Sequence, residues 1–323
     1  MSRHFNRFWG TQTDSLITGN DRIAWGNRAI GLANKDLYYY TITMKSTIWT
    51  LFVIIVFTPL ISQALEPAGA RIQGMGGAGV ALPEDATTVW YNPAGLYFNN
   101  RIAVDATLGF SDIGLPALWG ISYLKYEQAN LRGAGFGVYR LTSPFQPDAD
   151  AVATLLSTVY LTPIGIPVGV TFKYINEKWP DEERKHYFTG DVGAFVPWGK
   201  FLVGLNLQNV TNPGSQIIPS RINLGVSYRL GQMITGSLQG SFVSWDEVED
   251  FDQAEYRLGA EFRPSSGIAI QAGRVQNAYD DYWTGGLGLF TNGGLAGLSA
   301  AYHWFPSGNS DDRFYVSYRY LLK

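Results

Sequence analysis

From about residue 100 to its last residue, the chain alternates apolar and polar side chains with a period of two. The segment RINLGVSYRL, residues 221–230, places isoleucine, leucine, valine and tyrosine on one face and arginine, asparagine, glycine and serine on the other. The segments AEYRLGAEFR (254–263) and RFYVSYRYLL (313–322) repeat this scheme. Successive side chains of a β-strand point to opposite faces, so the period predicts strands with one apolar face and one polar, glycine-rich face.

A soluble antiparallel sheet with a dry core and a membrane barrel with a polar lumen both give this pattern. We predict strands near 100–111, 116–126, 131–141, 150–161, 164–175, 187–197, 200–209, 219–230, 233–244, 253–263, 267–276, 281–290, 294–304 and 312–322. These are about fourteen strands of about ten residues, the length that a tilted transmembrane strand needs. An even number also brings both ends of a barrel to the same side of the membrane, as bacterial outer-membrane barrels require.

The connections between these strands alternate in length. Tight turns such as PWGK (197–200) and LGQ (230–232) alternate with longer polar loops such as NEKWPDEERKH (176–186) and NVTNPGSQIIP (209–219). Outer-membrane barrels have this asymmetry, with the short turns on the periplasmic side. We therefore predict an all-β fold, an antiparallel transmembrane β-barrel of about fourteen strands. Tryptophans near predicted strand ends suit the membrane boundary; they are Trp119, Trp198, Trp245, Trp283 and Trp304.

Charged residues within the strands are expected to point into the lumen, because an arginine or lysine on the lipid face at mid-membrane costs roughly 2 to 4 kcal/mol. The expected lumen-facing charges are Lys173, Arg229, Glu255, Arg257, Glu261 and Arg319. The cations could pair there with Glu255 and Glu261. A structural ion network and a role in selectivity both fit this arrangement.

The apolar stretch STIWTLFVIIVFTPLISQ, residues 46–63, follows Met44-Lys45 and leads to small residues at 62 and 64. A positive start, an apolar middle and small residues before the cleavage point predict a signal peptide over residues 44–64. A single anchoring helix is the alternative. Because 43 residues precede Met44, we interpret residues 1–43 as an upstream extension and Met44 as the translation start.

Composition excludes several kinds of site. Cysteine is absent, which removes disulfides, thiolate metal ligands and cysteine nucleophiles. The net charge of -3 comes without any basic block, so we expect no nucleic-acid partner. Ser299 and His303 share a strand face but lie about 13 Å apart at roughly 3.3 Å per residue, too far for a nucleophile and its base. No cluster has metal-ligand spacing, and we expect no enzyme activity, metal or cofactor.

The motif Gly74-x-Gly76-x-x-Gly79 has the spacing of a dinucleotide-binding loop. That site requires a buried strand before the first glycine and a helix after the last. The preceding LEPAGARIQ is not an apolar strand, and Pro83 and Pro93 interrupt any helix that follows. A nucleotide site is therefore disfavoured.

The segment GARIQGMGGAGVALPEDATTVWYNPAGL resembles the N-terminal plug of the FadL superfamily of outer-membrane barrels, and more closely that of its PorV/PorQ-like branch. The matching residues are Gly69, Ala70, Gly74, Met75, Gly76, Gly77, Asp85, Ala86, Asn92, Pro93, Ala94 and Gly95. The resemblance implies that residues 65–99 form a plug inside a barrel of residues 100–323, entering from the periplasmic side. It implies a constriction at Asn92-Pro93-Ala94, and plug positions at Gly74, Gly76, Gly77 and Asp85.

The resemblance also implies an exported protein in the outer membrane of a Gram-negative bacterium. FadL-like proteins pass hydrophobic small molecules, and we expect that transport here, with outer-membrane lipid as the surroundings. The alternative is a PorV/PorQ-like component of type IX secretion that binds or shuttles secreted proteins. A structural barrel with a sealed lumen is a third hypothesis. The loops depart from those of fatty-acid transporters because they are short and charged, as in KWPDEERKH.

Overall fold

The computed structural model describes residues 68–83, 86–99, 102–111, 116–127, 132–142, 148–215, 217–243, 254–265, 267–277, 281–291, 295–306 and 312–322. All of them belong to one compact unit, Pro59–Lys323. The interpretations of residues 1–43 and 44–64, and the positions of Asp85 and Trp245, lie outside the described residues.

Fourteen strands form a closed antiparallel barrel, in which each strand pairs with its neighbours in sequence and the last pairs with the first. They are β1 (Ile102–Ser111), β2 (Pro116–Glu127), β3 (Arg132–Thr142), β4 (Asp150–Leu161), β5 (Pro167–Lys178), β6 (Lys185–Trp198), β7 (Phe201–Gln208), β8 (Arg221–Leu230), β9 (Ile234–Val243), β10 (Glu255–Ser265), β11 (Ile268–Gln276), β12 (Asp281–Phe290), β13 (Ala296–Trp304) and β14 (Arg313–Leu322). Closure pairs Ile102 with Leu322 and Ser111 with Arg313, which removes any free sheet edge. The prediction of a fourteen-stranded antiparallel barrel is confirmed.

Within residues 68–83 and 86–99, three short helices precede the barrel: α1 (Ala70–Gly74), α2 (Thr88–Tyr91) and the 3-10 helix η1 (Pro93–Phe98). Among the described residues, no helix combines the length and the apolar character needed to cross a bilayer.

The predicted strand bounds agree with the observed ones to within about three residues, and β5 differs most. A turn closes between Thr162 and Ile166, where the Thr162 N-H donates to the Ile166 carbonyl at 2.9 Å. Gly165, at a φ of 82°, supplies the left-handed residue of this turn. Strand β5 therefore begins at Pro167 and extends further at its other end.

The two ends of the barrel differ in their connections. Only Gly199 and Lys200 join β6 to β7, whereas residues 209–220 join β7 to β8. We name the first the short-turn end and the second the long-loop end. Both Ile102 and Leu322 lie at the short-turn end.

The outer surface of the barrel is apolar and its inner surface polar. Leu156, Phe172 and Phe188 are 61%, 70% and 77% exposed, whereas Thr171 and Asp191, on the same strands as the two phenylalanines, are fully buried. This distribution inverts that of a water-soluble protein. It is the distribution of a barrel whose outside faces lipid.

Two of the tryptophans near strand ends form a pair on the outer surface. Trp283 and Trp304 are cross-strand partners on β12 and β13, and both are about half exposed near the long-loop end. Arg274 places its guanidinium 5.2 Å from the Trp283 ring. An aromatic ring beside a cation suits the boundary between lipid and water.

Candidate functional site

The candidate site is the contact between the barrel wall and residues 68–83 and 86–99, here called the N-terminal segment. Hydrogen bonds attach this segment to the wall at successive strands. Among them are those from Ala70 N to Ser317 Oγ (2.6 Å) on β14, from Gly76 N to Thr284 Oγ1 (2.9 Å) on β12, from Val80 N to Gln239 Oε1 (2.9 Å) on β9, and from Asn206 Nδ2 on β7 to Tyr91 O (2.5 Å). Helix η1 then packs on β4, β5 and β6. The segment thus follows the inner face of the barrel around its circumference.

Strand glycines make this close approach possible. A Cβ added to Gly204 would lie 2.2 Å from the Val80 carbonyl oxygen, and one added to Gly259 would lie 2.4 Å from the Met75 carbonyl oxygen. The same conflict recurs for Gly273 with Gly76 N (2.4 Å), Gly225 with Val80 Cγ1 (2.5 Å), Gly193 with Asn92 Oδ1 (2.1 Å) and Gly169 with Ala94 N (2.3 Å). Glycine in a strand permits another backbone to approach closely. These wall glycines therefore form a track for the segment.

The glycines of the dinucleotide-like motif end a helix. After α1, the Gly77 N-H donates to the Ile72 carbonyl (2.9 Å) and the Gly76 N-H to the Gln73 carbonyl (3.1 Å). This pair of bonds is the Schellman motif, which needs a left-handed residue after the helix. Gly76, at a φ of 67°, supplies it. A dinucleotide site needs the opposite order, with the helix after the glycines.

Asn92 fixes the bend between α2 and η1. Its Nδ2 donates to the Val80 carbonyl (2.8 Å), and its Oδ1 accepts from the Ala94 N-H (3.2 Å), which caps η1. Pro93 stands at the first position of η1, where its missing N-H costs nothing. Asn92 thereby joins two distant parts of the N-terminal segment through one fully buried side chain.

This bonding predicts a difference between two substitutions. Asn92→Asp keeps the acceptor for Ala94 but replaces the donor to Val80 with an oxygen, so an uncompensated acceptor is buried. We expect Asn92→Asp to lower the free energy of unfolding by about 2 to 3 kcal/mol, and Asn92→Ala by about 1 kcal/mol. Urea unfolding of the barrel in lipid vesicles, followed by tryptophan fluorescence, measures both.

Asn212→Asp is the matched control for that experiment. Asn212 is partly exposed in the β7–β8 connection, where its Oδ1 lies 3.1 Å from Ser220 Oγ, and water can hydrate the oxygen that an aspartate adds. We expect a change within about 0.5 kcal/mol. Equal stability of Asn92→Asp and the wild type would contradict the bonding described for Asn92.

A buried ion cluster links the segment to β10. Arg71 of α1 makes two bonds to the Glu261 carboxylate, at 2.7 and 2.9 Å, and both side chains are nearly inaccessible. Arg263 (2.8 Å) and Gln271 (3.0 Å) donate to the same carboxylate. Sequence reasoning placed Glu261 among the lumen-facing charges but missed Arg71, because these partners are 190 residues apart.

Of the other charges proposed for the lumen, Arg229 interacts electrostatically with Arg71, Arg263 and Glu261, and the rest lie elsewhere on the wall. Lys173 pairs with Asp191 at 2.7 Å, and both are buried. Arg257 pairs with Glu255 and also donates to the Gly77 carbonyl (3.2 Å) of the segment. The Arg319 guanidinium lies 5.2 Å from the Phe290 ring, and Arg229 is partly buried on β8.

His303 contacts the N-terminal segment and two tyrosines of the wall. Its Nε2 lies 3.1 Å from the Gln73 carbonyl oxygen, and its ring packs against Tyr282 (5.3 Å) and Tyr315 (4.8 Å). Over the described residues, no group of three or more His, Asp or Glu side chains could hold a metal ion.

At the long-loop end of β2 to β5, the inner wall carries a cluster of buried apolar side chains beside the buried carboxylate of Glu177. We call it the apolar chamber; its wall consists of the inward residues Leu118, Tyr139, Leu141, Ala151, Ala153 and Ile175 of β2 to β5, all at most 1% exposed. The same cluster of buried residues contains Val89 and Trp90 of the segment. Several inward positions on β7 to β9 are polar, as at Asn206, Asn223 and Gln239. The chamber therefore combines an apolar wall with residues of the N-terminal segment.

Comparison with solved structures identifies proteins that have a similar fold. No protein-family model matches the sequence, and no curated protein matches it. Among solved structures, the Ralstonia pickettii toluene transporter TbuX is similar, with 13% identity, a TM-score of 0.61, and 80% of this chain and 99% of that chain covered. A Pseudomonas aeruginosa FadL homologue (10% identity, TM-score 0.57) and the P. putida toluene transporter TodX (11%, 0.56) cover the same shares, 80% and 99%. This chain shares the barrel fold of these proteins.

Proposed function

We propose that the chain is an outer-membrane barrel of FadL type that carries hydrophobic small molecules across the membrane, with residues 65–99 as its plug. The observation that carries this proposal is the apolar chamber, whose buried cluster includes Val89 and Trp90 of the N-terminal segment. Apolar side chains offer neither charges nor hydrogen-bond partners to ions or sugars. It suits a cargo that leaves water readily.

The apolar surface and the similar proteins support a location in the outer membrane. The apolar exterior requires lipid, and two of the similar structures are named as toluene transporters. In this proposal the short-turn end, with both ends of the barrel, faces the periplasm. The long-loop end faces the outside of the cell.

The proposed plug role explains the glycines and the bend at Asn92-Pro93-Ala94. The wall glycines and the left-handed Gly76 and Gly77 hold the segment against the wall, so that polar solutes are excluded. Gly74 belongs to the same contact, because a Cβ there would lie 3.0 Å from the Gly286 Cα. Asp85 keeps its proposed place in the plug on sequence grounds alone.

The type IX secretion hypothesis and the sealed-barrel hypothesis differ from this proposal in what passes the barrel. Closeness to the PorV/PorQ branch stays a prediction from the plug motif, and the comparisons lend it no support. Co-purification of secreted proteins with the barrel would favour the secretion role. Absence of any cargo entry would favour a sealed barrel.

The proposal is tested by solute entry into cells that express the protein. In a Gram-negative host, we expect the wild type to speed the entry of radiolabelled ethylbenzene and to leave the entry of arabinose unchanged. Equal stimulation of both solutes would indicate a general pore and contradict the proposal. Unchanged ethylbenzene entry would contradict it as well.

Two neighbouring residues of β4 provide a matched pair of variants for this assay. Ala153 faces the chamber and is fully buried, whereas Thr154 lies on the opposite face of the strand. Ala153→Trp places an indole ring in the space that a cargo would occupy, so ethylbenzene entry should fall about tenfold or more, because the packed cluster has no room for both. Thr154→Trp adds the same ring outside and should transport like the wild type.

A further inference from the structure

The apolar chamber is filled by the protein's own β7–β8 loop. Ile217 and Ile218, 6% and 5% exposed, belong to the same cluster of buried residues as the inward residues of β2 to β5. The loop leaves β7 and returns to β8, yet its apolar pair packs with residues from another sector of the barrel. Burial of two isoleucine side chains stabilises this position through the apolar area removed from water.

The loop is held by polar contacts at its base, by hydrogen bonds of Val210 and Thr211 to β6, and by a clasp from its tip to β5. Asn209 Nδ2 donates to the carbonyls of Ile218 (3.2 Å) and Pro219 (2.7 Å), and Ser220 Oγ donates to the Asn209 carbonyl (2.7 Å). The clasp is a hydrogen bond from Ser215 Oγ to the Glu177 carboxylate on β5. Bonds between neutral groups contribute little net free energy, since water replaces the partner when they open, and the bond to the Glu177 carboxylate contributes more because its acceptor is charged.

The pair therefore occupies the chamber as a ligand would. Its side chains are uncharged, branched and compact, and they belong to a cluster of buried hydrophobic residues, with the Glu177 carboxylate beside it. We propose that the chamber is a binding site for an uncharged hydrocarbon of about the volume of two isoleucine side chains, and that such a molecule displaces Ile217 and Ile218. This inference rests on the proposed transport function, for which it names the class of cargo and the segment that cargo must move.

The test uses cysteine accessibility, because the chain has no cysteine of its own. Ile217→Cys is reconstituted in lipid vesicles and labelled with a water-soluble maleimide, with and without ethylbenzene. A ligand that binds only where the loop has left shifts the population to the displaced state. We expect ethylbenzene at saturation to speed labelling by about tenfold or more.

Three controls define the outcomes. Val210→Cys lies at the exposed start of the same loop, at 38% exposure, and its labelling rate should not change. Benzoate, which has a carboxylate that an apolar wall disfavours, should not speed labelling of Ile217→Cys. Ile218→Cys repeats the measurement independently, and heat-dependent gel migration verifies that each variant is folded.

An unchanged labelling rate at both isoleucine positions would overturn the inference, as would equal effects of benzoate and ethylbenzene or equal effects at Val210→Cys. The entry assay run in parallel separates the two proposals. Selective ethylbenzene entry with unchanged labelling overturns the displacement alone. Faster labelling without ethylbenzene entry supports the site and overturns the transport function.

Discussion

Replacing Gly204 with valine should open the barrel to small polar solutes. The added Cβ would lie 2.2 Å from the Val80 carbonyl oxygen, 2.7 Å from the Val80 carbonyl carbon and 2.8 Å from the Ala81 Cα. All three are backbone atoms, which cannot rotate away as the end of a flexible side chain does. The N-terminal segment must therefore move away from the wall glycines, since overpacking costs about 1 to 3 kcal/mol at a single site. We expect arabinose entry into proteoliposomes to rise about tenfold or more.

Gly285→Val is the matched control for this substitution. Gly285 lies on the outer face of β12, and a Cβ there meets no atom within 4 Å. The same change of residue should therefore leave arabinose entry at the level of the wild type. If Gly204→Val folded normally and admitted arabinose no faster than the wild type, the proposed role of the wall glycines in holding the N-terminal segment would be wrong.

Glu261→Gln should strongly destabilise the protein, because the Glu261 carboxylate neutralises a buried guanidinium. The substitution keeps the shape of the side chain but removes the negative charge that faces Arg71. Breaking one side of a buried ion pair costs about 3 to 5 kcal/mol, and Arg263 bonds to the same carboxylate. We expect the free energy of unfolding in lipid vesicles to fall by about that amount, with faster tryptic cleavage after Arg71.

An exposed pair provides the control for the same change of residue. Glu182 of the β5–β6 connection and Lys185, the first residue of β6, form a salt bridge at 2.5 Å, and both side chains are about half exposed. Glu182→Gln should cost less than about 1 kcal/mol, because water and salt screen an exposed pair. Arg71→Met combined with Glu261→Gln should cost less than the sum of the two single changes. Strict additivity would show that Arg71 and Glu261 act independently.

The barrel could be predicted from local pattern alone. Side chains of a strand alternate with a period of two whatever the strand pairs with, so the outward Leu258 and the inward Arg257 of β10 could be assigned from the sequence. Strand number and bounds follow from where that alternation stops at turn residues. Charges that face lipid and unpaired sheet edges both cost free energy, so a closed barrel with its charges inside is the expected arrangement.

The inward and outward faces of glycine-rich strands could not be predicted in this way. In LRGAGFGVYR the apolar and polar faces could not be told apart, because glycine carries no side chain to report its face. In the structure Gly133, Gly135 and Gly137 of β3 face inward, where added Cβ atoms would meet Leu96, Val89 and Trp90 of the segment. Only the path of the segment shows why glycine is needed there.

The sequence by itself determined the fourteen strands, the lipid-facing and lumen-facing sides of most of them, and a glycine-rich segment ahead of the barrel. These features depend on residues close together in the chain. The tertiary structure decided which wall glycine receives which part of the segment, that Arg71 pairs with Glu261, and that Ile217 and Ile218 lie in the apolar chamber of β2 to β5. The physical reason is that such contacts depend on barrel closure, which brings distant residues together at distances that no local periodicity encodes.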